Sequence, residues 1–311
     1  FSQEKIENCR NFCNKLWNAA RFVIINRENE KPALPSRLSF IDKWILTKLN
    51  DVIRDVTKNL NRYEIGMASA KIYDFVWSEF CDWYIETQKP LLYSDDKAKK
   101  SRSVSMLLYV LTAVLKLLHP FAPFITEEIF GIINPDKSIM VEPWCEYSKN
   151  NIYRSEERAF DNLKALVTSI RNARADLGIA PSKKVKIYFA ARDAALIKKS
   201  APYIERLAGL SQMELCDNAP QTEQKCYVII SGLGEAYLPY SGLIDIKAET
   251  AKLKKEIEAI RAECERNENM LANENFVKKA PAKLVDAERE KLARNRERLE
   301  KSIEKLKMLE G

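Results

Sequence analysis

The spacing of apolar residues changes twice along this chain of 311 residues, and each change marks a different kind of fold. Up to about residue 178 apolar residues recur every three or four positions, which is typical of amphipathic or buried helices in a bundle. After Gly178 the period becomes two, which indicates strands. From Asp245 a heptad pattern predicts two long helices that pair as a hairpin.

These changes predict a mainly α fold with three domains. They are a helical bundle over residues 1–153, a linker helix with a small α+β module over 154–244, and an antiparallel coiled-coil hairpin over 245–311. In the bundle, Ser39 with Asp42 and Asp95 with Asp96 stand where helices should begin. The strand candidates are KVKIYFA (184–190), QMELC (212–216), KCYVII (225–230) and AYLPY (236–240), with short helices around 194–199 and 203–210.

Charge and cysteine content limit the class of protein. The net charge of +7 is spread as +3 on residues 247–311 and +4 on the rest, so it permits a nucleic-acid partner without requiring one. Seven scattered cysteines and a single histidine indicate free thiols in a cytoplasmic protein. The longest apolar run, 106–118, is broken by Thr112 and Lys116, so we expect a soluble protein. Because the first residue is Phe and no signal-peptide pattern follows, we expect a piece of a longer chain.

Sequence motifs for catalysis are missing. The sequence has no Gly-rich phosphate loop, no nucleophile elbow and no helix with metal ligands at useful spacing. The glycines of SGLGE (231–235) fit a hairpin turn, since no helix with a lysine follows them. His119 at a predicted helix C-terminus fits capping better than acid-base work. We therefore expect no catalytic residue, metal or cofactor in this segment.

The helix from Asn11 to Phe22 carries an aromatic ring inside its polar face. Its apolar arc contains Phe12, Leu16, Ala19, Ala20 and Val23. The opposite arc contains Asn11, Asn14, Lys15, Asn18 and Arg21, with Phe22 among them. Amides, cations and an exposed ring together suit unpaired nucleotides, because they can contact base edges, phosphates and base faces. The alternative is that another helix covers this arc, and the helix alone favours that interpretation because such Phe residues are usually buried.

Charged residues flank the apolar seam of the predicted hairpin, whose turn lies around Pro281. The seam residues are Leu253, Ile257, Ile260, Cys264, Asn267 and Leu271 in the first arm and Leu292, Asn295, Leu299, Ser302, Leu306 and Leu309 in the second. On one flank acids face bases, which favours an intramolecular antiparallel pair; these are Glu249, Glu256 and Glu263 against Lys291, Arg298 and Lys305. The other flank is all positive, with Lys254, Arg261, Arg289 and Arg296. It either contacts an RNA backbone or extends into water, and the two interpretations stand about equal.

Two further groups of residues have both a structural and a functional interpretation. One group of aromatic residues recurs at helical spacing and is predicted to be core: Trp44, Tyr73, Phe75, Trp77, Phe80 and Trp83. A group of basic residues flanks the LGIAP turn and could line an RNA groove, although a solvated surface is the preferred interpretation: Arg171, Arg174, Lys183 and Lys184.

Several stretches closely resemble the C-terminal part of bacterial valyl-tRNA synthetases of class I. They are RNFCNKLWNAARF (10–22), FVWSEFCDWYIETQKP (75–90), LLHPFAPFITEEIF (117–130), SGLIDIKAETAKLKKEIE (241–258) and NENFVKKAPAKLVDAEREKL (273–292). The first three occur broadly in the class I synthetases for valine, isoleucine and leucine. The motifs of the final hairpin distinguish the valine enzymes from the other two. The resemblance covers essentially the whole chain.

The resemblance implies a role for each domain. The bundle would bind the anticodon, the α+β module would be a connector, and the hairpin would be an arm that reaches the tRNA elbow. Near the anticodon bases would lie Lys15, Arg21 and Phe22, with Phe22 as the stacking ring and with Asn11, Asn14 and Asn18 on the same face. The tRNA elbow would be contacted by the basic residues on one flank of the hairpin, which are Lys254, Arg261, Arg289 and Arg296.

The resemblance also implies partners. The partner would be tRNA-Val, without a membrane, and the protein would be a monomer. The nucleotide-binding fold and the editing domain of the family would precede Phe1, and the parent enzyme would use ATP and Mg²⁺ to attach valine to tRNA. Without the resemblance, the alternative is a coiled-coil scaffold that binds another protein and no RNA.

Overall fold

The structure is a computed structural model that describes residues 2–220, 225–240, 246–273 and 282–310. It contains two compact units. One comprises Phe1–Val167 with Pro202–Leu207, and the other comprises Thr168–Ala201 with Ala208–Gly311. The predicted domain boundaries after residues 153 and 244 stay predictions.

The first unit is a bundle of helices, as the three-to-four spacing predicts. Its elements are α1 (Gln3–Ile25), α2 (Phe40–Asn61), α3 (Ile65–Asp74), a π-helical segment (Phe75–Tyr84), α4 (Ile85–Leu92), α5 (Lys97–Leu118) and α6 (Pro123–Ile133), with 3₁₀ turns at Ile139–Val141 and Lys149–Asn151. The next helix is α7 (Arg154–Asp176). Helix α1 packs against the π-helical segment, α5 and α6.

Two helices of the bundle begin where the sequence predicts. The Ser39 hydroxyl accepts a hydrogen bond from Asp42 N, and the Asp42 carboxylate accepts one from Ser39 N, so α2 starts with a reciprocal capping box. The Asp96 carboxylate accepts a hydrogen bond from Lys99 N at the start of α5. Side-chain acceptors thus satisfy backbone N–H groups that have no partner inside the helix.

Helix α5 is the central helix of the bundle. Eleven of its residues are buried, and most of them are Leu, Val or Met. Among the described residues, this one helix is long and apolar enough to cross a membrane by length and composition, with a mean hydropathy of 1.5. Its burial by the neighbouring helices accounts for that apolar character, since a bundle core requires a helix that is apolar on most sides.

The second unit contains a four-stranded sheet. Its strands are β1 (Val185–Ala191), β2 (Leu210–Cys216), β3 (Cys226–Ser231) and β4 (Gly234–Pro239), in the order β2-β1-β4-β3. Helix α8 (Ala194–Ala208) lies between β1 and β2 along the chain. Strands β1 and β2 are parallel, and the other two pairs are antiparallel. All four predicted strands are therefore confirmed. At the β3–β4 turn, Gly234 has a φ of 140° and a Cβ there would collide with the Ala190 carbonyl, so the turn requires glycine.

Helix α8 corrects one prediction. The two short helices expected around 194–199 and 203–210 form one helix that contains Pro202. Ile197 and Ile204 on either side of the proline are both buried. This burial outweighs the one backbone hydrogen bond that a proline removes from a helix.

Arg174 is a second correction, because it neither lines a groove nor lies in solvent. Its side chain is buried, and its guanidinium donates hydrogen bonds to the backbone carbonyls of Ala180, Pro181, Lys183, Ala208 and Gly209. Burial lowers the pKa of this guanidinium. Arg171, Lys183 and Lys184 are exposed. One member of the predicted basic surface is thus a structural residue that binds turn carbonyls.

The coiled-coil hairpin consists of α9 (Ile246–Ala272) and α10 (Ala282–Glu310), which pack along each other. The predicted seam of the first arm is buried at Leu253, Ile257, Ile260, Cys264 and Asn267. In the second arm Ser302 is buried, and Leu292, Asn295, Leu299 and Leu306 are partly buried. The turn around Pro281 and the side chains of Glu249, Lys305 and Leu309 lie outside what is described.

Candidate nucleic-acid interface

The polar arc of α1 is open to solvent. The predicted apolar arc, from Phe12 to Val23, is buried as a whole. On the opposite arc Asn11, Asn14, Asn18 and Arg21 are exposed, and Lys15 and Phe22 are partly buried. No other helix that the structure describes therefore covers this arc as a whole, and the cover is limited to Lys15 and Phe22. Phe22 is neither a core residue nor a freely exposed one.

The partial burial of Phe22 results from a groove between two walls. One wall is α1, and the other is formed by the π-helical segment and α4. The groove has a volume of about 510 Å³ and is lined by Lys15, Asn18, Ala19, Phe22, Cys81, Asp82, Ile85, Glu86 and Lys89. It is within the size range of ligand sites and presents an aromatic ring beside charged groups of both signs.

Lys15 joins the two walls of this groove. Its Nζ donates a 2.7 Å hydrogen bond to Asp82 Oδ1. The same Nζ lies 3.8 Å from the centroid of the Trp77 ring, in the geometry of a cation–π contact. Two contacts from the opposite wall, with Asp82 and Trp77, therefore hold the lysine that the helical pattern predicts as an RNA contact.

A row of stacked rings extends from this lysine. The Tyr73 and Trp77 ring centroids are 5.6 Å apart with planes at 11°, and the Phe12 and Tyr73 centroids are 4.9 Å apart. Tyr73 is 38% exposed, so its prediction as a core residue is wrong. Trp44, Phe75 and Phe80 are buried as predicted, whereas Trp77 and Trp83 are partly buried. Tyr73 lies near the end of α3, whereas Phe75, Trp77, Phe80 and Trp83 lie in the π-helical segment, where i→i+5 hydrogen bonding changes which residues share a face.

The far end of the groove holds Phe22. Lys89 Nζ lies 5.5 Å from its ring centroid, and the Lys89 ammonium also donates a hydrogen bond to Glu86. One turn along the chain, Asn26 Nδ2 donates a 2.8 Å hydrogen bond to the Phe22 carbonyl and closes the end of α1. The ring is thus held on a fixed backbone beside an ion pair.

Cys81 lies in the groove but is not a nucleophile. Burial raises the pKa of its thiol to about 12, and the nearby Asp82 carboxylate adds to the increase. Because the thiolate is the reactive form, a thiol with this pKa is unreactive near neutral pH. Cys81 acts here as a small apolar group in the groove wall.

The groove brings together three of the six predicted anticodon residues. Lys15, Asn18 and Phe22 line it, whereas Asn11, Asn14 and Arg21 lie on the same exposed helix face outside it. Sequence reasoning missed the opposite wall, which contributes Asp82, Glu86 and Lys89. These residues belong to the FVWSEFCDWYIETQKP motif, whose aromatic spacing was interpreted as core.

The hairpin flanks agree with prediction on one side and differ on the other. Arg298 Nη2 lies 2.8 Å from Glu256 Oε1, which confirms the neutralising flank at this pair. The other flank is not purely cationic, because Arg296 pairs with Glu268 at 2.8 Å. Arg289 pairs with Asp286 on its own helix at 3.3 Å. Lys254 and Arg261 are exposed. The mutual repulsion that is expected among the basic residues of this flank is thus reduced by Glu268 and Asp286, which are not among the residues predicted for either flank.

Other chemical groups have structural roles. His119 Nδ1 lies 2.8 Å from Thr126 Oγ1, a contact between the end of α5 and α6. In the part of the chain that the structure describes, no group of three or more His, Cys, Asp or Glu side chains could hold a metal ion. No disulfide joins any of the seven cysteines, all of which lie within the described residues.

Two family descriptions match this chain. Residues 42–189 match the anticodon-binding domain of tRNA ligase, and residues 245–310 match the valyl tRNA synthetase tRNA binding arm. The groove wall from Cys81 to Lys89 lies within the first match, and α1 precedes it. The hairpin α9–α10 corresponds to the second match.

Curated relatives align with nearly the whole chain. Valine–tRNA ligase from Clostridium tetani is 40% identical over 99% of this chain and 36% of its own length. The relatives from Geobacillus stearothermophilus and Bacillus subtilis are 40% and 38% identical, each over 94% of this chain and 34% of their own length. The chain therefore spans about a third of the length of the curated relatives that it matches.

Proposed function

This chain belongs to the valyl-tRNA synthetase family, and from that premise we propose that it is a tRNA-recognition segment. The bundle binds the anticodon stem-loop through α1 and its groove. The coiled-coil hairpin binds the same tRNA at its elbow. The partner is tRNA-Val, and the chain acts as a monomer in the cytoplasm.

The observation that carries this proposal is the open polar face of α1, with the Phe22 ring at the edge of the groove. Single-stranded RNA is recognised by rings that stack on bases and by polar groups that contact base edges. Phe22 is the stacking ring, and Lys15 and Arg21 contact base edges or phosphates. Asn11, Asn14 and Asn18 supply amides on the same face.

The hairpin contributes phosphate contacts at the tRNA elbow through one of its flanks. The basic residues of this flank are Lys254, Arg261, Arg289 and Arg296. The Arg289 and Arg296 side chains are exposed even while paired. Exposed ion pairs contribute about 1 kcal/mol or less, so an RNA phosphate can replace either acid at small cost.

In a protein of the relatives' full length, this segment would deliver tRNA for the attachment of valine. That reaction would use ATP and Mg²⁺. The residues of this chain that we assign act by binding and orienting tRNA, and none of them is assigned a chemical step.

A titration of the full 311-residue chain with tRNA tests the proposal. Binding of tRNA-Val and of an unrelated tRNA is measured by gel shift at two salt concentrations. We expect tighter binding of tRNA-Val and a loss of affinity at the higher salt, because phosphate contacts release counterions. A chain that binds neither tRNA at either salt concentration would overturn the proposal and favour the coiled-coil scaffold.

A further inference from the structure

The groove beside Phe22 is electrically balanced rather than cationic. Two lysines line it, Lys15 on α1 and Lys89 on α4. Lys15 is paired with a carboxylate of the opposite wall, and Lys89 is paired with a carboxylate of its own helix. Asp82 pairs with Lys15, and Glu86 pairs with Lys89. A phosphate entering the groove would meet two carboxylates, so its attraction to the lysines would be largely cancelled. The groove therefore suits the uncharged part of a nucleotide, which is the base.

Both carboxylates have an oxygen available to a ligand. Lys15 uses Oδ1 of Asp82, and Lys89 uses Oε1 of Glu86. Within the described parts of the chain, Oδ2 of Asp82 and Oε2 of Glu86 accept no hydrogen bond. The Asp82 side chain is 51% exposed, so its carboxylate is accessible from solvent. An ionised carboxylate only accepts hydrogen bonds, so these oxygens need a donor from the ligand.

Nucleobases differ in the exocyclic groups that they present to such an acceptor, and the one base-edge donor of uracil, its ring N3–H, lies between two carbonyl oxygens. Cytosine, adenine and guanine carry exocyclic amino groups, whereas the exocyclic groups of uracil are carbonyl oxygens. A carboxylate that accepts from a base amino group is a known form of base readout. An oxygen of uracil placed against Asp82 or Glu86 would be repelled, and the carboxylate would lose water without gaining a partner.

We propose that Asp82 and Glu86 make the groove selective for a nucleobase with an exocyclic amino group, and that they discriminate against uracil. This inference rests on the proposed function, since it assumes that a loop of tRNA enters the groove. Phe22 holds the face of the base, and the free carboxylate oxygens accept from its amino edge. Lys15 and Lys89 position the carboxylates and act as base-edge donors rather than as phosphate ligands.

The test uses the full chain and stem-loop RNAs with the anticodon arm sequence of tRNA-Val. Each loop position with an amino-bearing base is replaced in turn by an analogue that lacks the amino group: purine for adenine, hypoxanthine for guanine and pyrimidin-2-one for cytosine, with uracil for cytosine as a further replacement. At one position, the wild-type chain should bind the replaced loop roughly tenfold more weakly. Asp82→Ala or Glu86→Ala should reduce this ratio to near one, because alanine keeps no acceptor at that position. Glu128→Gln, on an exposed carboxylate of α6 outside the groove, should leave the ratio unchanged.

Three results separate the possible outcomes. No binding of any stem-loop by the wild-type chain would overturn the proposed function, and the inference with it. Binding of every loop with equal affinity would overturn the inference alone. So would variants at Asp82 and Glu86 that strengthen binding of all loops by the same factor, because the carboxylates would then only repel phosphates. Since either variant alone tests the ratio, a folding defect in one leaves the other decisive.

Discussion

Lys15 Nζ lies 2.7 Å from Asp82 Oδ1, and this contact joins α1 to the π-helical segment across the groove. The pair is partly exposed, so it contributes about 1 kcal/mol or less to stability. Its main effect is positional, because it holds a cation and a carboxylate at a fixed separation beside the Trp77 ring. The two walls of the groove are thereby held together, and this order would lower the entropy lost by a ligand-binding groove on binding.

Phe22→Ala should weaken binding of the anticodon stem-loop. Base–aromatic stacking contributes about 1–3 kcal/mol per base, so we expect a loss of roughly fivefold to 150-fold in affinity. The measurement is a fluorescence anisotropy titration with labelled stem-loop, alongside far-UV circular dichroism. Phe124→Ala is a matched control, because Phe124 is 89% exposed and does not line the groove. Reduced helicity in Phe22→Ala would instead identify Phe22 as a structural residue.

Reversal of charge at Lys254 and Arg261 should weaken the binding of complete tRNA. Loss of phosphate contacts should also flatten the dependence of affinity on salt concentration. Binding is measured by filter retention over a range of salt. Reversal at Lys198 and Arg206, two exposed basic residues of α8, is the matched control. An unchanged salt slope in the hairpin variant would mean that this flank does not touch RNA.

Arg174→Ala should destabilise the α+β module by about 3 kcal/mol or more. The change leaves several buried carbonyls without a donor, and each such loss is costly. The free energy of unfolding is measured by urea denaturation monitored by circular dichroism. Gly209→Ala should also destabilise, because Gly209 has a φ of +68° and an added Cβ would overlap Arg174 Nη1.

These two changes should not be additive. In the Arg174→Ala background, Gly209→Ala no longer meets the guanidinium, so its cost should fall to that of the backbone strain. Additive costs would mean that the two residues act independently.

The contact between Lys43 and Glu156 should make stability depend on acid pH. The hydrogen bond from the Lys43 ammonium lowers the pKa of Glu156 from 4.5 to about 2. The folded state therefore binds this proton more weakly than the unfolded state does. Its stabilisation is fully present above pH 4.5 and is lost as pH falls towards 2.

Glu156→Gln tests this dependence. The variant should have a lower melting temperature than the wild type near neutral pH, and the difference should shrink as pH falls through this range. Lys43→Gln should show the same trend, because it removes the other half of the pair. A difference that stays constant from pH 7 to pH 2 would contradict the assignment.

The sequence predicts the elements well where one periodicity holds. The apolar arc of α1, the capping box at Ser39 and the four strands follow from local patterns, and the structure confirms them. The π-helical segment was not predictable from a period of 3.6, and it changes which of its own aromatic residues share a face. The burial of Arg174 was not predictable for another reason. The backbone carbonyls that accept its hydrogen bonds belong to separate turns, which only the fold brings together.

The site was predictable from one wall only. Helical projection places Lys15, Asn18 and Phe22 on a common face because they lie on one helix. Asp82 and Glu86 come from a segment more than fifty residues further along the chain, and their position opposite α1 depends on tertiary packing. The sequence motif that contains them was recognised, but its charged residues were not assigned a role.

The central claim is that the α1 face binds the anticodon, and a nuclease footprint of tRNA-Val tests it most directly. The full chain should protect the anticodon loop from cleavage, and Phe22→Ala should need roughly fivefold to 150-fold more protein for the same protection of that loop, while the hairpin-dependent protection of the elbow is kept. If the anticodon loop is cleaved equally with and without the wild-type chain, or if Phe22→Ala protects it at the same protein concentration as the wild type, the claim is contradicted.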